Sequence, residues 1–234
     1  MSESVFRFRQ FTVHQDKCAM KVGTDAVLLG SWVNTDNAKN ILDIGTGTGI
    51  IAMMLAQKSS AQIDAVDICP DAFKQATENV AESLWADKIS VHHISFQEFS
   101  ETAEKKYDLI VSNPPFFSDA PKPHTLGRIQ SRHTDTLSFQ ELIIGVKKII
   151  SPEGKFCVVL PCREGGAFID EAMKQGLFCG NILHVKTKIE KLEKRLLMEF
   201  TLQLKNLEER EMVIRCGENE FSREYVEMTR EYYL

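Results

Sequence analysis

The segment Ile41-Leu42-Asp43-Ile44-Gly45-Thr46-Gly47-Thr48-Gly49-Ile50-Ile51-Ala52 constrains this chain most. A short apolar run of strand length passes through alternate glycines into a helix-like stretch, as in the first unit of a doubly wound nucleotide-binding fold. Glycine at every second position lets the backbone approach a ligand closely, because no Cβ stands in the way. The next apolar run, Ile63-Asp64-Ala65-Val66-Asp67-Ile68, carries Asp67 24 residues beyond Asp43, where a carboxylate suits a bidentate grip on ribose hydroxyls. The glycines read G-x-G-x-G and not the G-x-G-x-x-G of dinucleotide dehydrogenases. Asp43, two positions before the first glycine, is unfavourable beside a pyrophosphate and useful near an ammonium group.

The rest of the chain repeats the alternation. Strand-like runs at 39–44, 62–67, 88–94, 107–112 and 154–160 are separated by helical patterns at about 48–58, 70–86 and 138–150. Pro70 suits the first position of a helix, and Pro152-Glu153-Gly154 predicts a turn before the fifth run. This order predicts a parallel α/β sheet with helices on both faces. Segments near 180–188 and 195–205 predict two closing strands with no long helix between them, followed by a last helix from about Ser222. Upstream, Val5 to Gln15 alternates aromatic and polar residues as a short strand or hairpin would, and Thr24 is the expected N-cap of an apolar helix through Trp32. A length of 234 residues fits one domain, with a hairpin and helix extension over 1–38 and a core over 39–234.

Composition narrows the function little. Hydrophobic content of 43% and charged content of 26% are those of a globular protein, and no apolar run approaches the roughly 20 residues that span a bilayer. The first residues carry no signal-peptide pattern. Six cysteines are scattered with no zinc-ligand spacing, as expected for a reduced, cytoplasmic chain. His92-His93 lies in an alternating run that points the two rings to opposite faces, so the pair reads as structural. A net charge of −5 weighs against a nucleic-acid partner for the chain as a whole. Local clusters do not: Arg7 and Arg9; Lys122, Arg128 and Arg132; and Lys186, Lys188, Lys191, Lys194 and Arg195.

Directly after the run Tyr107-Asp108-Leu109-Ile110-Val111-Ser112 stands Asn113-Pro114-Pro115-Phe116. Each proline fixes its own φ and restricts the residue before it, which makes a rigid backbone at a strand end. An Asn side-chain oxygen and a proline-held carbonyl can each accept one hydrogen of a planar –NH2 group, and an aromatic ring can stack on the base that carries it. Such acceptance favours a pyramidal nitrogen with its lone pair free for an electrophile. A Pro-Pro loop that merely ends a strand, with Phe116 in the core, is the structural alternative. Asp43 through Gly49, Asp67, Ser95-Phe96 and Asn113 all fall at predicted strand ends, where open α/β sheets bind ligands.

Together the glycine loop and the tetrad resemble the S-adenosylmethionine-dependent methyltransferases that modify planar amino groups. The segments Phe11-Thr12-Val13-His14-Gln15-Asp16, Lys21-Val22-Gly23-Thr24-Asp25-Ala26-Val27-Leu28-Leu29-Gly30 and Tyr225-Val226-Glu227-Met228-Thr229-Arg230 extend the likeness over nearly the whole chain. They resemble the bacterial tRNA (adenine-N6) methyltransferases that act on valine tRNA at the adenine 3′ of the anticodon. The resemblance implies a Rossmann-like class I methyltransferase fold: a mostly parallel seven-stranded sheet with an antiparallel C-terminal hairpin. It implies S-adenosylmethionine with no metal, and tRNA, through its anticodon stem-loop, as the partner, with no membrane and no obligate protein partner.

Residue by residue, the resemblance assigns Asp43 and the Gly45, Thr46, Gly47 and Gly49 backbone to the methionine part of the cofactor. Asp67 goes to the ribose and Ile68 to the cofactor's adenine. Related enzymes often carry an acid near position 95; here Ser95 and Phe96 stand there, which leaves that contact to backbone atoms. Asn113, which also borders the cofactor, and the Pro114 carbonyl accept from the target amino group; Pro115 stiffens the turn and Phe116 stacks. Lys21, Thr24 and Asp25 either line the cofactor pocket or its mouth, or form a capped helix start with a surface lysine. The polar stretch Phe117 to Leu137 is expected to close over the base. Methylation of a glutamine amide in a peptide-release factor is the nearest rival, although that family usually has Tyr in the fourth place and an N-terminal helical domain. DNA adenine methylation, methylation of another RNA, a nicotinamide oxidoreductase and a non-catalytic RNA-binding protein are the remaining readings.

Overall fold

The computed structural model describes residues 5–18, 20–114, 137–218 and 220–233. Pro115, Phe116, nearly all of the expected closing loop and the Lys122, Arg128 and Arg132 cluster lie outside the described residues. An N-terminal hairpin pairs β1 (Val5–Arg7) with β2 (Thr12–His14), and α1 (Thr24–Trp32) follows. Then come β3 (Asn40–Ile44), α2 (Ile50–Lys58), β4 (Gln62–Asp67), α3 (Pro70–Ala81), β5 (Ile89–His93), α4 (Phe96–Thr102) and β6 (Tyr107–Ser112). The chain continues through α5 (Phe139–Ile149), β7 (Ile150–Pro161), α6 (Cys162–Lys174), β8 (Phe178–Lys188), β9 (Glu193–Thr201), β10 (Glu208–Arg215) and α7 (Arg223–Thr229).

The main sheet has eight strands in the order β10-β8-β9-β7-β6-β3-β4-β5, one more than the seven expected. Strand β9 runs antiparallel to both β7 and β8, while every other pair is parallel. The extra strand, β10, pairs parallel with β8 at the edge. Its charged start, Glu208-Glu209-Arg210-Glu211, hides it from a search for apolar alternation and suits a sheet edge, where charge discourages pairing with other chains.

Alternation within the strands divides the core in two. Ile41, Leu109, Val111, Cys157 and Val159 face α1, α2, α3 and α7; Leu42, Ile110, Val158 and Leu160 face α4, α5 and α6. Four local expectations are corrected. Gly23, with extended φ and ψ, is the N-cap of α1, and Thr24 is its first helical residue. Helix α3 ends at Ala81, five residues early, in a turn that brings Trp85 edge-on against Phe11. The turn expected at Pro152–Gly154 falls inside β7, where the register with β6 shifts between Tyr107 and Leu109. Helix α6, which the Gly165-Gly166 pair concealed, packs so closely on β9 that a Cβ at Gly165 would lie 2.5 Å from Leu196 Cδ1.

Helix α3 also holds the N-terminal segment in place. The buried Asn79 side chain accepts from the His14 amide at 2.9 Å and donates to the His14 and Thr48 carbonyls, both at 2.9 Å. Gln75 Oε1 accepts from the Lys17 amide at 2.9 Å, and Gln15 Oε1 from the Val22 amide at 2.8 Å. Hairpin, glycine turn and α3 are thereby one unit. Among the described residues, no helix is long and apolar enough to cross a membrane.

Because Asn79 satisfies one buried and two partly buried backbone groups, Asn79→Ala leaves all three without that partner. Thermal and urea unfolding should show a loss of about 2–4 kcal/mol; a loss under about 0.5 kcal/mol, the range of an ordinary surface substitution, would contradict this account.

Candidate active site

Strand order reverses at β3, which pairs with β4 on one side and β6 on the other. The crevice beyond their carboxyl ends is therefore the expected ligand site. Three bonds close these ends together: Ser112 Oγ donates to the Ile44 carbonyl at 3.0 Å, and the Gly45 and Thr46 amides donate to the Val66 carbonyl at 2.9 and 3.1 Å. The turn between β3 and α2 needs its glycines: φ is +70° at Gly45, +59° at Gly47 and +82° at Gly49, all in the left-handed region. At Gly49 a Cβ would also press on Ala76 of α3 at 3.4 Å.

Asp43 lies beneath this turn, with none of its surface exposed. Its Oδ2 accepts from the Thr46 hydroxyl at 2.6 Å, and Oδ1 has no hydrogen-bond partner among the described residues. Burial pushes the carboxyl up to about 7; the Thr46 hydroxyl and the nearby Ala52 amide pull it down, and Asp67 adds to the rise. The Ala52 amide, at the positive start of α2, lies close without completing a hydrogen bond of good geometry. Asp67 organises the other side of the loop: Oδ2 accepts from the Gly47 amide and Oδ1 from the Cys69 amide, both at 2.9 Å. Each oxygen keeps a second lone pair for a ligand hydroxyl.

A cavity of about 280 Å³ opens here, a volume suited to a nucleoside-sized ligand. Of the residues singled out in the sequence, Gly45, Gly47, Asp67, Ile68, Phe96, Asn113 and Pro114 line it. Asp43, Thr46 and Gly49 support the turn from behind. Ser95 caps α4, its hydroxyl accepting from the Glu98 amide at 3.2 Å. Lys21, Thr24 and Asp25 do not line the cavity; Asp25 pairs with Arg195 at 2.7 Å. Leu137, the last residue of the expected closing stretch, also lines it, and sequence reasoning missed Cys18, Met20, Cys69, Gln97 and Ser112. Cys69, Gln97 and Ser112 adjoin residues that were found. Cys18 and Met20 belong to no motif and reach the cavity only because α3 holds their segment.

The fit to a nucleoside carrying an amino-acid tail rests on polarity. The cavity lining includes the Asp67 carboxylate together with Val66, Ile94 and Phe96, and Ile68, 48% exposed, also lines it. Beside them stands Asn113, whose Oδ1 is shielded from solvent and has no hydrogen-bond partner among the described residues. A buried acceptor left unpaired costs about 1–3 kcal/mol and calls for a donor from the ligand side.

These features define a Rossmann-like methyltransferase, and the comparison with known proteins agrees. Residues 17–175 match the family model of the methyltransferase small domain, and the chain belongs to that family. It is 44% identical over 237 residues to the tRNA1(Val) (adenine(37)-N6)-methyltransferase of Trichodesmium erythraeum, covering all of this chain and 99% of the relative. It is 45% identical over 235 residues to the protein of the same name from Bacteroides fragilis, with the same coverage. Among solved structures, a predicted O-methyltransferase of Agrobacterium tumefaciens superposes with a TM-score of 0.69 at 17% identity, covering 89% of this chain and 96% of its own, a likeness of fold. The resemblance read from the loop, the tetrad and the flanking segments is thus borne out. Membership in the family implies S-adenosylmethionine as methyl donor.

Since the Asp43 pKa of about 7 exceeds its unfolded value of 3.8, the folded chain binds more protons between these limits. Stability should therefore fall as pH rises from about 4 to 7 and level off above. Asp43→Asn should flatten that slope, as thermal melts at pH 5, 6, 7 and 8 would show; a variant that keeps the parental slope would refute the assignment.

Proposed function

We propose that this chain transfers the methyl group of S-adenosylmethionine to the N6 amino group of an adenine in tRNA, with adenine 37 of valine tRNA, the target in the names of its full-length relatives, as substrate. The observation that carries this reading is the buried Asn113 Oδ1 at the cavity wall, beside the glycine turn, which has no hydrogen-bond partner among the described residues. S-adenosylmethionine, when bound, supplies a methyl group made electrophilic by its sulfonium, so the reading calls for no metal. The chain supplies orientation and placed acceptors.

The Asn113 side chain and the Pro114 carbonyl accept the two N6 hydrogens, freeing the nitrogen lone pair and stabilising the positive charge that grows on it. Asp67 offers its unused lone pairs to the ribose hydroxyls, while Ile68 and Phe96 cover the cofactor's adenine. The Gly45 and Gly47 backbone borders the methionine part, with Asp43, Thr46 and Gly49 holding its shape. Stacking on the target base is assigned to Phe116 and stiffening of the turn to Pro115. Ser95 acts through the helix cap that positions Phe96. Lys21, Thr24 and Asp25 are assigned to the mouth of the site, next to Met20. The target base must be splayed out of the anticodon loop, which costs a few kcal/mol and less than in a duplex. A cytoplasmic location follows from such a substrate.

Labelled methyl should pass from S-adenosylmethionine to unmodified valine tRNA, and not to a tRNA with guanine after the anticodon or to a peptide-release factor. Label on the release factor would move the chain to glutamine methylation. Asn113→Ala should lose on the order of 100-fold or more in kcat, the scale of a lost transition-state acceptor. Its cofactor dissociation constant by calorimetry should stay within about threefold; near-parental turnover would remove Asn113 from the mechanism. Asp67→Ala should instead weaken cofactor binding at least tenfold, and an unchanged constant would contradict the ribose assignment.

A further inference from the structure

The cluster Lys186, Lys188, Lys191, Lys194 and Arg195 is divided by the fold. Lys186 pairs with Glu211 at 2.7 Å, and Arg195 with Asp25. Lys188, Lys191 and Lys194 have no carboxylate within ion-pair distance among the described residues. Lys188 ends β8, Lys194 lies at the start of β9, and Lys191 is in the tight connection between them, closed by the Lys191 amide on the Lys188 carbonyl at 3.1 Å. Glu193, the acid nearest in sequence to Lys194, is held by His184 at 2.8 Å. Two large apolar side chains share the tip, Ile189 at 67% and Leu192 at 89% exposure.

Strand direction decides where this tip lies. Because β9 is antiparallel to both its neighbours, β8 runs the same way as β7, β6, β3 and β4. The carboxyl end of β8 therefore opens on the same edge of the sheet as the cavity. The ladders put Ser112 level with Val158, Met198 and Ile182 in turn. Lys188 is three strand spacings across from Ser112 and six residues further along, a separation of about 25 Å at ordinary strand dimensions. That is a span of several base-pair steps of an A-form RNA stem. A hairpin whose loop delivers a base to Asn113 can thus lay its stem against this tip.

We propose that Lys188, Lys191 and Lys194 are a phosphate-binding rim for the stem of the substrate tRNA, with Ile189 and Leu192 set against its sugar edge. The inference rests on the proposed tRNA activity and specifies where that substrate docks. In a chain of net charge −5, long-range attraction does not favour RNA, so a local group of unneutralised lysines on the active-site edge supplies what the whole surface lacks. Mixed polar and apolar exposure suits a groove of riboses and phosphates, which is read by shape. Such contacts set position and affinity and leave the choice of base to the cavity.

The test is steady-state methylation of unmodified valine tRNA by the full chain and by the variant Lys188→Gln/Lys191→Gln/Lys194→Gln, over a range of salt. The expected result is a KM for tRNA raised about tenfold or more, with kcat and cofactor binding within twofold of the parent. The slope of log affinity against log salt should shrink by about 2–3, near one unit for each lost phosphate contact. Lys186→Gln, which removes a lysine already paired, should leave the KM within twofold. An unchanged KM and slope in the triple variant would overturn the rim, as would an equal effect of Lys186→Gln, while parental methylation of tRNA would leave the proposed activity standing. A parent that neither binds nor methylates tRNA would overturn both.

Discussion

The reversal of strand order at β3 is the constraint on which the rest depends. With β4 and β6 both parallel to β3 and paired to its two sides, the connections leave the carboxyl edge in opposite directions and cannot fill the space above it. The edge is kept from fraying by the Ser112 hydroxyl on Ile44 and by the Gly45 and Thr46 amides on Val66. Each of those bonds joins a residue of the turn or the tetrad's strand to a neighbouring strand. The glycine turn, Asp67 and Asn113 are therefore fixed relative to one another by the sheet itself.

Local costs are concentrated at this edge. Three residues of the turn sit at positive φ, a carboxylate is buried under it, and the Asn113 acceptor has no partner among the described residues. Two apolar layers, one on each face of the sheet, offset them, and Ile44, Val66 and Phe96 of one layer also line the cavity. The candidate site sits where the backbone is irregular and polar, and the core where it is regular and dry. The N-terminal hairpin contributes to both. Phe8 and Phe11 stack at 4.6 Å, Tyr233 lies over Phe8 at 6.0 Å, and the segment just after the hairpin walls the cavity with Cys18 and Met20.

Much of this was legible in the sequence because the informative signals are local. The glycine turn, the acid at the end of the next strand and Asn113 at the end of β6 are each read from a few neighbouring residues, and each falls at the strand end expected of it. What escaped was set by distant neighbours. Helix α6 forms through Gly165-Gly166 because Leu196 needs the room, α4 is a short helix secured by Ser95 and by Phe96 against Gly145, and β10 is a charged edge strand that only β8 makes a strand. Ser95 was read as a pocket residue because it follows β5, yet its hydroxyl is turned to the Glu98 amide.

The sequence by itself determined the α/β alternation, the identity of the turn and tetrad, and the methyltransferase resemblance, because these follow from periodicity and from residues adjacent along the chain. Tertiary structure alone decided that Asp43 lies beneath the turn and not in the cavity, that Asp25 goes to Arg195, and that three lysines of one cluster have no acid partner among the described residues and stand on the same sheet edge as the cavity. Those outcomes depend on burial and on strand direction. Both arise only when segments far apart in sequence are packed side by side.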